Sequence, residues 1–181
     1  MIAIFITLAI VVFDQVSKYI VVSYMEMFSE KPFIPYLMSF YRTENRGAAF
    51  SMLEDNRWVF MLVSSVAIIA ISIVLYYFRG RHPLLTVSLS MVLGGGIGNM
   101  IDRVCYGAVV DFLRFDFVDF AIFNVADSFI TVGTVLMFVY VLFFETKVEE
   151  RLRLQGESAD DAEDAILPPE SNASAENAEE E

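Results

Sequence analysis

Residues 58–78 read WVFMLVSSVAIIAISIVLYYF, and none of them is charged. A bilayer core about 30 Å thick is crossed by roughly 20 apolar residues in helical form. In lipid, only a helix or a closed barrel satisfies its own backbone polar groups. This stretch therefore predicts a membrane-spanning helix. Working outward, residues 83–101 read PLLTVSLSMVLGGGIGNMI, again without charge, and only RGRH at 79–82 separates the two runs. A third stretch, 1 to about 25, is broken only by Asp14 and Lys18, and a fourth, about 121–144, carries Asp127 near its start. The first of these lacks a basic leader, and its long apolar run contains an ion pair. It reads as a span rather than a cleaved signal peptide.

The bulk numbers agree. The chain has 181 residues, 56% of them hydrophobic, with a mean hydropathy of +0.56. The net charge of −12 is unevenly spread: all 12 Lys and Arg and 14 of the acids precede Gln155, and the other 10 acids follow. The body is near neutral and offers no basic face for nucleic acid. Residues 155–181, rich in Glu, Asp, Ala, Ser and Pro, hold too little apolar surface to fold and read as a disordered tail. Asn172-Ala173-Ser174 matches a glycosylation sequon, which on a cytoplasmic tail is a chance match. Cys105 is the only cysteine, so neither an intrachain disulfide nor a cysteine zinc site is available. The expected fold is an all-α membrane bundle of four helices over 1–154, with a small β element and an interfacial loop on one face. The acidic tail follows at 155–181.

Four spans put both termini on one side. The basic residues number five on that side and six on the other, so the count does not choose a side. Their density in the short turn at 79–82 leans toward cytoplasmic termini. The two opposite loops, 26–57 and 102–126, are rich in aromatics, which favour the membrane–water interface. Within them, 38–42 and 115–117 suit short strands or interfacial segments, and Asn45-Arg46-Gly47 reads as a turn between two strands.

In a membrane chain, ionisable and amide groups near the spans carry the information, because a charge at the bilayer centre costs about 2.5–3.5 kcal/mol or more. Five clusters stand out. In DQVSK, 14–18, Asp14 and Lys18 share a helix face and can pair; a structural ion pair is the plain reading. NRGAAF, 45–50, reads as a hairpin turn or as the lining of a peptide groove. GGGIGNMIDR, 94–103, lies in a span, which argues against a dinucleotide loop. Its small residues let helices approach, and Asn99, Asp102 and Arg103 can share a face. GAVVDF, 107–112, and FNVAD, 123–127, bring Asp111 and Asp127 to the ends of the third and fourth spans. Singly, each is a solvated loop acid or a helix cap. Together they lie at similar depth among apolar residues, where two carboxylates tend to share one proton. One can then act as base on water while the other polarises a carbonyl, the chemistry of an aspartic peptidase. The single His82 sits across the membrane from this pair, which removes a His triad and argues against a zinc peptidase. A Ser–Lys dyad finds no serine partner for Lys31, and Lys18 is matched to Asp14.

These five blocks, in this order and spacing, closely resemble the bacterial lipoprotein signal peptidases (signal peptidase II), over about 14–144. The resemblance implies a cofactor-free and metal-free aspartic peptidase of the bacterial inner membrane. It implies both termini in the cytoplasm, the β element in the periplasm and the active site near the outer face. It implies a substrate, diacylglyceryl-modified prolipoproteins cut before the lipidated cysteine, and an inhibitor, cyclic peptides of the globomycin type. By position, Asp111 and Asp127 match the catalytic aspartates. Asp14, Lys18, Asn45, Gly47, Gly95, Asn99, Arg103, Asn124 and Ala126 match supporting polar and small residues. The acidic tail departs from the family pattern and is expected to be dispensable. Two other classes remain open on the residues alone. A proton-conducting protein would need ionisable groups at several depths, whereas these gather in the outer half. An assembly protein would leave the paired aspartates idle.

Overall fold

The computed structural model describes residues 1–46, 57–78, 80–148, 150, 153 and 154. It divides into two compact units, Met1–Leu142 and Phe143–Glu181. In the second, the described residues are mostly helical, with the Val148 N–H donating to the Phe144 carbonyl. The tail at 155–181 lies outside the described residues.

The four apolar runs form helices α1 (Ile2–Tyr24), α2 (Arg57–Tyr77), α3 (Pro83–Cys105) and α4 (Val125–Phe143). Each is long and apolar enough to cross a membrane. At 1.5 Å per residue the 23 residues of α3 extend about 35 Å. His82 caps the N-terminus of α3, its ring accepting from the Leu84 N–H, and Pro83 begins the helix. Its placement at the end of α3 opposite Asp102 agrees with the expectation that it lies far from the aspartates.

Helix α3 is the central element, with Leu89, Leu93, Gly94, Gly98 and Asn99 among its buried residues. Lipid tails are as apolar as leucine, so membrane helices associate through close packing rather than hydrophobic exclusion. The glycines provide that closeness. A Cβ on Gly94 would meet Ile10 of α1 at 2.9 Å, and one on Gly133 of α4 would meet the Ser88 carbonyl of α3 at 2.8 Å. A Cβ on Gly95 would collide with the Ala126 carbonyl and with Ile130, both on α4. Helix α2, by contrast, has no fully buried residue among those described: Ile71 and Leu75 are half-buried against Leu85, Leu89 and Tyr140, and the rest of its surface is largely apolar, as a helix facing lipid should be.

Among the described residues, three strands form one antiparallel sheet in the order β1 (Glu30–Ile34), β2 (Met38–Asn45), β3 (Val109–Phe115). The sheet thus joins the two aromatic loops, which are 66 residues apart at Asn45 and Asp111. Val21 and Met25 of α1 pack with Val110 and Phe112 of β3, seating the sheet against the end of the bundle. Arg42 Nη1 donates to the Val22 and Met25 carbonyls at 3.2 and 2.6 Å, which satisfies acceptors that every helix C-terminus leaves open.

Several expectations shift. The hairpin between β1 and β2 turns at 35–37, with Tyr36 at φ 64°, and the turn expected at Asn45-Arg46-Gly47 runs into residues outside the described ones. Asn45 is the last residue of β2, because that strand extends to pair with Val109 of β3. Gly47 and the rest of 47–56 lie outside the described residues. Helix α3 runs to Cys105, four residues past the charge-free run, because Asp102 is neutralised within the bundle. Helix α4 starts at Val125 rather than near 121, since Asn124 caps it. Asp111 lies on a strand rather than a loop, and Phe115 ends β3, so 116–117 are not strand.

Candidate active site

The site is built where the N-terminus of α4 meets α1, α3 and β3. Asn124 is its hub. Its Oδ1 accepts from the Asp127 N–H at 3.0 Å, and the Asp127 carboxylate accepts from the Asn124 N–H at 3.2 Å. This is the reciprocal arrangement of a capping box, and it fixes the Asp127 side chain on the first turn. The same Asn124 sends its Nδ2 to Asp111 Oδ1 at 2.7 Å and to Asn99 Oδ1 at 3.0 Å. The two aspartates are therefore held by one fully buried residue, Asp111 by its side chain and the Asp127 carboxylate by its backbone N–H.

Each carboxylate has one further amide donor. Asn45 Nδ2 reaches Asp111 Oδ2 at 3.1 Å from the end of β2, and Asn99 Nδ2 reaches Asp127 Oδ1 at 2.7 Å from α3. Burial, and then the neighbouring Asp127 charge, push the Asp111 carboxyl up to about 7, against the pull of the two amide donors and of Lys18. Asp111 is 3% exposed, whereas Asp127 is only part-buried. One carboxyl of the pair is thus driven toward its neutral form while its neighbour stays open to solvent.

Beneath the pair lies a charged floor. The Lys18 ammonium has three donors and three acceptors: Asp14 at 2.8 Å, Asp102 at 2.9 Å and Asn99 Oδ1 at 2.9 Å. All four residues are buried. Asp14 also accepts from the Ala126 N–H at 2.9 Å, one of the unpaired donors at the start of α4, where a carboxylate is favoured. Ala126 is completely buried, and its carbonyl faces Gly95, so neither position has room for a larger side chain. Arg103 Nη1 donates to the Asn99 carbonyl at 3.3 Å, and its charge acts on Asp127, Asp111 and Asp102.

Asp14, Lys18, Asn45, Asn99, Asp111, Asn124, Ala126 and Asp127 thus belong to one continuous network, with Gly95 and Arg103 beside it. Gly47 is outside the described residues. Two participants go beyond the residues expected as the site. Asp102 shares the Lys18 charge and accepts from the Val110 N–H at 3.2 Å, which ties α3 to the strand bearing Asp111. Gln15 Nε2 bridges Asp102 Oδ1, the Gly98 carbonyl and Asp14 at 2.9, 3.1 and 3.2 Å. Their signal was present as spacing: Asp102 lies one helical turn beyond Asn99, and Gln15 adjoins Asp14. Lys18 is therefore shared between two acids rather than matched to Asp14 alone. Among the described residues, no group of three or more His, Cys, Asp or Glu is arranged to hold a metal ion.

Comparison with known proteins gives consistent matches. The family model for signal peptidase (SPase) II matches residues 6–143. A lipoprotein signal peptidase of Symbiobacterium thermophilum is 45% identical over 152 residues, covering 81% of this chain and 98% of that protein. One from Streptococcus pyogenes serotype M1 is 43% identical over 134 residues, covering 72% and 86%. A bacterial membrane enzyme solved by the in meso method at 1.9 Å superposes with a TM-score of 0.70 at 34% identity, covering 78% of this chain and 93% of that one. A second such structure, at 2.3 Å, gives a TM-score of 0.69 at 34% identity, covering 77% and 87%. With the family match spanning all four helices, this multi-pass membrane protein belongs to the signal peptidase II family of aspartic-type peptidases.

Proposed function

We propose that this protein removes signal peptides from prolipoproteins, with Asp111 and Asp127 as its catalytic pair. The observation that carries the reading is the single buried Asn124 donating to both carboxylates at the mouth of α4, through its Nδ2 to Asp111 and its backbone N–H to Asp127. Asp111, the more buried and harder to ionise, is the acid; Asp127 is the base. Asp127 takes a proton from water, whose oxygen bonds to the scissile carbonyl carbon, and Asp111 protonates the carbonyl oxygen to give a neutral diol. Asp127 then passes its proton to the amide nitrogen as the C–N bond breaks, while a diol hydroxyl returns a proton to Asp111. Both groups finish as they began. Neither metal nor cofactor enters these steps.

The substrate is a prolipoprotein carrying a diacylglyceryl cysteine, cut just before that residue. A site at the interfacial end of the spans meets a peptide bond whose neighbouring lipid is anchored in the bilayer. Both termini lie in the cytoplasm, the site opens near the outer face of the bacterial inner membrane, and a cyclic lipopeptide of the globomycin type occupies it. Purified protein given lipid-modified and unmodified prolipoprotein tests this: only the modified form should be cut, and equal cleavage of both would refute the specificity.

The pH dependence follows from Asp111. Its folded value of about 7 lies above the ordinary 3.8, so the proton needed for catalysis is held below neutral pH, half lost near 7 and gone above it. The pair titrates as a unit, and kcat/KM, which reports the free enzyme, should fall as pH rises through about 7. By the same sign, the stability this proton contributes is complete below the ordinary carboxylate range and fades as pH climbs through about 7. A kcat/KM profile flat from about pH 6 to 9 would contradict the assignment.

We read 1–154 as the peptidase domain and 155–181 as a disordered acidic tail on its cytoplasmic side. The composition that keeps the tail from folding also keeps it from supporting the site, so truncation after Leu154 should leave cleavage in membranes within about twofold of the full chain. A loss of most activity would show a role for it.

A further inference from the structure

Asp102 is 1% exposed, and three donors converge on its carboxylate. Lys18 Nζ of α1 and the Val110 N–H of β3 reach Oδ2 at 2.9 and 3.2 Å, and Gln15 Nε2 of α1 reaches Oδ1 at 2.9 Å. The Val110 contact bears directly on the aspartate pair. In the strand order β1-β2-β3, the side of β3 away from β2 has no neighbouring strand among the described residues. A backbone N–H buried there needs an acceptor, and the Asp102 carboxylate supplies what a fourth strand would. The Val110 carbonyl, which belongs to the peptide bond with Asp111, accepts from Asn124 Nδ2 at 3.4 Å. Both backbone polar groups of the residue before Asp111 are thus tied, one to α3 and one to the cap of α4.

The second consequence is electrostatic. The charges around Asp111 come from three helices: Lys18 and Asp14 on α1, Asp102 and Arg103 on α3, and Asp127 on α4. Arg42 and Glu44 of β2 lie with Val110 on the other face of the sheet. Lys18 draws the proton away from Asp111. With Asp14 alone, Lys18 would make a neutral floor; with Asp102 added, one ammonium faces two carboxylates and the floor is negative. A negative floor opposes ionisation of a carboxyl above it.

We propose that Asp102 is a positioning residue for the acid of the reaction: it anchors the strand segment that carries Asp111 and keeps the floor negative, so that Asp111 retains its proton. This rests on the reading of Asp111 as the acid. Asparagine at position 102 would serve neither purpose fully, because it has one oxygen for three donors and no charge.

The test uses the full-length protein in lipid nanodiscs, as wild type, Asp102→Asn and Asp102→Glu. The infrared carbonyl stretch of a protonated carboxyl, assigned to Asp111 by its loss in Asp111→Asn, follows that proton without substrate. Its midpoint in the wild type is expected at about 7. In Asp102→Asn the midpoint should fall by roughly one pH unit, as for removal of a nearby like charge. The deficit in kcat/KM relative to wild type should then widen about tenfold from about pH 5 to about pH 9. Asp102→Glu keeps the charge but displaces the carboxylate by one methylene. It should leave the midpoint in place and lower kcat/KM by roughly tenfold at every pH. Lys18 stays balanced by Asp14 in Asp102→Asn, so that variant is expected to fold. An unmoved midpoint in folded Asp102→Asn overturns the proposal, because a purely structural role lowers the rate equally at all pH values. A wild-type rate in Asp102→Glu also overturns it, which keeps the test decisive if Asp102→Asn does not fold. Absence of prolipoprotein cleavage by the wild type would refute the functional reading instead, and the infrared midpoints would still decide the role of Asp102.

Discussion

Asp111→Asn and Asp127→Asn are each expected to lower the rate of signal-peptide removal by ~10²–10⁴-fold, the range for loss of a positioned acid or base. Asparagine keeps the size of the side chain but has one acceptor oxygen where the carboxylate has two, so one of the two donors to each position loses its partner. The chemical loss is the proton. An amide at position 111 cannot protonate the carbonyl oxygen, and an amide at position 127 cannot take a proton from water. Because either loss alone stops turnover, the double variant should be little worse than the singles; groups that act as a unit are not additive. Cleavage is followed with lipid-modified prolipoprotein, and thermal unfolding shows that each variant is folded. Normal cleavage by either folded variant would remove that aspartate from the mechanism.

Lys18→Met is expected to be the most destabilising single change among the site residues, at about 3–5 kcal/mol, as for a broken buried ion pair. The reason is asymmetric. The ammonium sits between Asp14 and Asp102 at 2.8 and 2.9 Å, and those residues are 0% and 1% exposed. Removing it leaves two buried carboxylates facing each other with no counter-charge. Asn99 loses a 2.9 Å donor as well, which frees the amide that orients Asp127. A protein with a stability of about 5–15 kcal/mol loses a large share of it this way. Adding Asp102→Asn to Lys18→Met should recover part of the loss, since one uncompensated charge disappears. Thermal unfolding in detergent measures both. A Lys18→Met variant as stable as the wild type would show that the floor carries little of the fold's stability.

The spans were legible because the signal is local. A charge-free run such as 58–78 has one good conformation in lipid, whatever its neighbours do. Positions four apart on one helix are equally local, and Asp14 with Lys18 was readable for that reason. The extent of β2 was not legible because strand limits depend on pairing. Asn45 extends β2 only because Val109, far along the chain, is there to receive it. In the same way Asp102 read as the start of a loop. Its charge is tolerable in a helix only where Lys18 and Gln15 reach it from α1.

The sequence by itself determined four membrane helices, a near-neutral body with an acidic tail, and five polar clusters in a family order. Those follow from run length, composition and spacing along one chain. Only the tertiary structure decided who touches whom. It brought the Ala126 N–H to Asp14 across 112 positions, made Asn124 the shared holder of Asp111 and Asp127, and divided the Lys18 charge between two acids. Hydrogen bonds need atoms within about 3 Å. That closeness between helices is set by how glycine-lined α3 rotates and packs against its neighbours, which no single stretch of sequence encodes.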